Sequence, residues 1–120
     1  MQGKIDYLKS VGVDIDTAVN NMGDISMYDE MIGDYYDTID EEMQKIDSAK
    51  NSNDISNYTI LVHAMKSNSR SFGFMEFGEE CYRHEMAGKS NDLNYINENY
   101  NKLVSMSLEV KKIIETYKSL

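Results

Sequence analysis

Not one proline interrupts this chain of 120 residues, and that absence constrains the fold more than any other single feature. Proline removes a backbone donor and breaks helix interiors, and together with glycine it punctuates tight turns. With no proline and only seven glycines, helices can run long, and a sandwich rich in tight turns is disfavoured. Apolar residues at three- and four-residue spacing mark where such helices run.

Lys4 to Ser10 reads as a short helix stopped by Gly12, and a second runs from about Asp14 to Gly23, with Asp14 or Asp16 as its cap. Tyr28, Met31, Ile32, Tyr35, Ile39, Met43 and Ile46 form one apolar stripe, which predicts an amphipathic helix from about Ile25 to Ala49. Lys50-Asn51-Ser52-Asn53 reads as a loop. The next stripe is Ile55, Tyr58, Val62, Met65, Ser69 and Phe72, ended by Gly73. Phe74 to Ala87 reads as a helix stopped by Gly88, and Ser90-Asn91-Asp92 caps a last one. Its stripe is Leu93, Ile96, Tyr100, Leu103, Ser107, Val110, Ile114 and Tyr117.

Four substantial helices with short connections favour antiparallel neighbours. The expected fold is all-α: an up-down-up-down antiparallel four-helix bundle over residues 25–118, preceded by one or two short helices within residues 1–24. A chain of this length is expected to be a single domain, residues 1–120. Most of the nine tyrosines and nine methionines are expected in its core.

Charge and cysteine content narrow the function classes. The formal net charge is −9 with no dense cationic cluster, so nucleic acid is not an expected partner. No apolar run is long enough to span a membrane, and no secretory signal is evident. The single cysteine, Cys81, excludes an internal disulfide and suits a reducing compartment, so the expected localisation is cytoplasmic. Cys81 and His84 form a Cys-x-x-His pair, but no second pair stands at zinc-site spacing, and no metal or cofactor is expected. Neither a phosphate-binding Gly-x-x-x-x-Gly-Lys loop nor a kinase-type glycine loop occurs, so ATP binding and self-phosphorylation are not expected.

The run His63-Ala64-Met65-Lys66-Ser67-Asn68-Ser69-Arg70-Ser71-Phe72-Gly73 carries the chemistry. With the inward stripe at zero and about 100° per residue, His63, Lys66, Arg70 and Ser67 fall near roughly 140°, 80°, 120° and 180°, away from the core. Ile60 and Ala64 lie farther round, so an apolar and small-residue strip borders the histidine. An uncharged imidazole is a good nucleophile near neutral pH. Attack on phosphorus leaves dianionic oxygens that Lys66, and Arg70 as a second or a partner contact, are placed to compensate. Ser67 is small enough to let a partner approach. On spacing alone the pattern also fits a solvated helix face bearing ordinary charges.

His63 through Gly73 resembles the signature of histidine-containing phosphotransfer (HPt) domains, His-x-x-Lys followed by small residues, with a glycine ten residues after the histidine. Gly12 to Ala18, Tyr28 to Ile32, Asn53-Asp54-Ile55, Glu85-Met86-Ala87-Gly88 and Asn91-Asp92 extend the similarity from about Gly12 to Tyr117. The resemblance implies a phosphocarrier. His63 matches the phosphoacceptor and Lys66 the motif cation, while Ser67 stands where such domains most often have glycine. His84 sits where the family commonly has an apolar residue. The implied partners are response-regulator receiver domains, which would bring the magnesium, and a hybrid sensor kinase. Ile60, Ala64 and Ser67 would form the docking surface of a monomer. The alternative expectation is a helical interaction module that binds a receiver or kinase without carrying phosphate.

Overall fold

A computed structural model describes all 120 residues, and every regular element in it is an α-helix. The helices are α1 (Gln2–Ser10), α2 (Ile15–Met22), α3 (Ile25–Asn51), α4 (Ile55–Ser71), α5 (Met75–Lys89) and α6 (Leu93–Ser119). α3 and α6, at 27 residues each, are the longest. At 1.5 Å rise per residue each spans roughly 40 Å, which sets the long dimension of the 44 × 24 × 21 Å molecule.

One capping device starts four of the six helices. Asp14, Asp24, Asp54 and Asp92 each accept a hydrogen bond from the amide three residues on, at 3.3, 2.9, 3.3 and 3.1 Å. Each satisfies an amide that lacks an intrahelical partner. The three turns from α3 to α6 share a second device, one left-handed residue directly before the next helix's cap: Asn53 (φ 57°), Gly73 (φ 88°) and Asn91 (φ 55°). Glycine is needed only in the middle turn. A Cβ at Gly73 would lie 2.6 Å from the Asp14 carbonyl oxygen, and the Asp14 amide donates to the Gly73 carbonyl at 2.9 Å. That contact ties the α1–α2 arm to the end of α4.

Helix boundaries differ from expectation at two places. Lys50 and Asn51 continue α3, because the left-handed Asn53 makes the turn and the loop is correspondingly short. Gly88 does not stop α5. It lies inside the helix, and Asn91 supplies the left-handed exit.

α3, α4, α5 and α6 each pack on their chain neighbour, and α3 also packs on α6. Side-chain contacts run in opposite chain order along the neighbours: Asp29–Tyr117, Asp40–Lys111 and Asp47–Tyr100 join α3 to α6. Twenty-five buried hydrophobic residues form one cluster, to which the α1–α2 arm adds Leu8, Val13, Ile15 and Ala18. Tyr58, Val62, Met65 and Phe72 of the α4 stripe are buried, as are all α6 stripe residues except Leu93. Five tyrosines are in the core, their hydroxyls bonded; Tyr28, for example, donates to the Phe72 carbonyl at 2.8 Å. The methionines depart from expectation. Only Met65 is buried, while Met1, Met27, Met31, Met75 and Met86 are exposed. Branched, aromatic and small side chains make up the rest of the core.

Candidate functional site

His63 lies on α4 one residue past the buried Val62, and the helical advance turns it out of the core. Its side chain is 56% exposed. The residue that organises the site comes from α5. Glu85 is 2% exposed, and its carboxylate meets three donors. His63 Nδ1 lies 2.7 Å from Oε2, Lys66 Nζ donates to Oε1 at 2.6 Å, and Lys89 Nζ approaches Oε2 at 3.2 Å.

Those distances set the protonation pattern. Burial alone would raise the carboxyl pKa of Glu85, but the hydrogen bonds from Lys66, His63 and Lys89 outweigh it and hold it at about 2. An ionised carboxylate can only accept, so the proton sits on His63 Nδ1. In the neutral ring that leaves Nε2 with a free lone pair, and no protein group is bonded to it. Two lysines against one carboxylate leave one net positive charge beside an available nucleophile.

Lys66 is more covered than the helical wheel suggests. Its side chain is 13% exposed, spanned by Glu85 and by the Tyr82 ring, whose centroid lies 5.3 Å from Nζ. One of its three N–H donors serves Glu85. Arg70 also lies over that ring, its guanidinium carbon 5.7 Å from the centroid, and pairs with Glu79 at 3.4 Å, so its contacts lie along α5, one turn from Lys66. Ser67 is exposed, Ala64 half-buried, and Ile60 is 67% exposed, an unusual position for an isoleucine. His63, Lys66, Ser67, Ala64 and Ile60 therefore share one face of α4, with Met86 and Lys89 exposed on the adjoining α5.

Glu85 and Lys89 are the site residues that sequence reasoning missed as participants. A signal existed. Phe77, Cys81, His84 and Gly88 set the inward phase of α5, and a glutamate beside that stripe at position 85 requires cationic partners. Periodicity within α5 could not tell that those partners would come from α4.

Cys81 and His84 both point inward, with no exposed surface. Burial pushes the Cys81 thiol up to about 12. His84 Nδ1 is 2.7 Å from the Tyr58 hydroxyl, and no group of three or more His, Cys, Asp or Glu side chains is disposed to hold a metal ion. No helix is long and apolar enough to cross a membrane. Comparisons of this chain with protein-family models, with curated proteins and with solved structures found no match.

Proposed function

We propose that this chain is a phosphocarrier of the HPt type: a single-domain, up-down-up-down antiparallel four-helix bundle in which His63 takes a phosphoryl group from a receiver-domain aspartate and passes it to another. The observation that carries the reading is the 2.7 Å contact in which His63 Nδ1–H donates to Glu85, which leaves Nε2 as an open nucleophile beside two lysines. The resemblance of residues 63–73 to the family signature supports the same reading.

The step balances without proton loss. The Nε2 lone pair forms the N–P bond, the P–O bond to the donor aspartate breaks, and that carboxylate leaves with the electron pair. Nδ1 keeps its proton, so the ring becomes formally cationic as the bond forms. Glu85 faces that developing charge from 2.7 Å in a largely water-excluded position, an interaction stronger in the transition state than in the ground state. Lys66 has two N–H donors left for the phosphoryl oxygens, and Lys89 is the second cation. Phosphoryl transfer needs little else from this side beyond positioning. The magnesium belongs to the receiver. Ile60, Ala64 and Ser67 supply the approach surface for a transient contact at the small end of specific interfaces.

The decisive experiment is labelling of wild type and His63→Gln by a small phosphoramidate and by a phosphorylated receiver, read as intact mass. An acid-labile gain of one phosphoryl group on the wild type alone is the expected result. No gain with either donor in folded protein would leave a helical interaction module as the better description.

A further inference from the structure

The hydrogen bond that orients His63 depends on how closely α4 and α5 approach, and one glycine sits where that distance is set. Gly88 is helical and lies one turn beyond Glu85 on α5; Thr59 lies one turn before His63 on α4. Contacts run in opposite order along the two helices, so Thr59 with Gly88 is the next contact after His63 with Glu85. A Cβ placed on Gly88 would overlap the Thr59 hydroxyl and come within 3.1 Å of the Thr59 Cβ. Thr59 has little room to yield. Its hydroxyl donates to the Ile55 carbonyl at 2.8 Å, and its Cβ, 3.1 Å from the added carbon, does not move with the χ1 rotamer.

We propose that the missing side chain at Gly88, packed against Thr59, sets the reach of Glu85 to His63, which makes Gly88 a positioning residue of the phosphoacceptor site. Glycine inside a helix is disfavoured relative to alanine, so its presence at position 88 runs against local preference. Its Cα against Thr59 lets α5 lie close enough for the carboxylate to span 2.7 Å to Nδ1 and 2.6 Å to Lys66. Any side chain at position 88 pushes α5 outward. Such bonds span roughly 2.7–3.2 Å and are no longer hydrogen bonds by about 3.6 Å, so a displacement of about 1 Å releases the ring to either tautomer. The functional half of the proposal rests on His63 being the acceptor; the geometric half stands on the interface alone.

The test compares Gly88→Ala, Thr59→Ala and the double variant, each checked for helicity. ¹⁵N NMR of the His63 ring reads the tautomer, and phosphoramidate labelling reads the rate. In wild type and Thr59→Ala the proton should favour Nδ1. Gly88→Ala should mix the tautomers and slow labelling on the order of tenfold, since misplacements of about 1 Å cost up to 10²-fold. The double variant should recover both. Wild-type nitrogen shifts in folded Gly88→Ala overturn the proposal, as does a shift that Thr59→Ala fails to rescue. A role in stability alone would lower the melting temperature and leave the tautomer unmoved. If Gly88→Ala does not fold, Thr59→Leu crowds the same gap from α4 and is judged by the same nitrogen shifts. A wild type that takes no label ends the phosphocarrier reading, while the nitrogen shifts still decide the positioning by Gly88.

Discussion

The chain has two histidines, each beside a glutamate and each with Nδ1 2.7 Å from an oxygen, yet their surroundings are opposite. His63 is more than half exposed, its Nδ1 bonded to the Glu85 carboxylate and its Nε2 open. His84 is wholly buried between Tyr58, Tyr95 and Glu80. Its Nε2 lies 3.2 Å from Glu80 Oε2, close enough for attraction but without hydrogen-bond alignment. The carboxylate of Glu80 is itself bound by the Tyr95 hydroxyl at 2.7 Å and by Lys102 and Arg83 at 3.4 and 3.3 Å. Burial favours the neutral ring and lowers the pKa of His84 against the opposing pull of Glu80. A nearby carboxylate alone does not make a histidine a nucleophile. What separates the two rings is which nitrogen is engaged and whether the other can be reached.

Exchanging the fates of the two rings gives the largest effects. His63→Gln should abolish labelling while the melting temperature stays near wild type, because an exposed side chain is removed. His84→Ala should do the reverse. It leaves a cavity and an unpaired Tyr58 hydroxyl, costing about 2–4 kcal/mol in urea denaturation with labelling retained in the folded fraction. Loss of labelling in folded His84→Ala would erase the distinction.

Ser67→Tyr sharpens the contrast between chemistry and docking. Transfer from a phosphorylated receiver should stop, whereas phosphoramidate labelling should persist and stability should change by less than about 0.5 kcal/mol. Equal receiver kinetics in that variant would move the docking face elsewhere. Glu85→Gln is a smaller step, since the amide oxygen still accepts from Nδ1 while the charge facing the ring is gone. Labelling should slow on the order of tenfold, as when one preorganised electrostatic partner is weakened. An unchanged rate would mean that orientation, not charge, is what Glu85 supplies.

Acid should separate the two glutamate–histidine pairs most gently. His84 has a lowered pKa, so below about pH 6.5 the unfolded chain binds more protons than the folded one, and stability falls with pH. Glu85 is also lowered, from 4.5 to about 2; its contribution is complete above pH 4.5 and disappears as pH falls toward 2. Urea melts across pH should show the upper window in Glu85→Gln but a weakened lower one. If the lower window is as large in Glu85→Gln as in wild type, another carboxylate is responsible.

Much of the fold is legible in the sequence. Stripes such as Tyr58, Val62, Met65 and Phe72 repeat within one helix, where geometry is local, and they marked both the core and the outward direction of His63. The same method failed where a residue's meaning depends on another helix. Gly88 reads as a stop because glycine commonly ends helices, yet the left-handed turn falls to Asn91 and Gly88 serves a close approach. Lys66 reads as free because a helical wheel has no neighbour to cover it.

By itself the amino-acid sequence determined that the chain is helical, roughly where its long helices run, and that a histidine and a lysine share a turn on an outward face. Only the tertiary structure decided which nitrogen of His63 holds its proton, because that follows from a carboxylate 22 residues away on another helix. Helix phase comes from backbone geometry that repeats every few residues. The distance between two helices comes from side-chain volumes that meet only after packing.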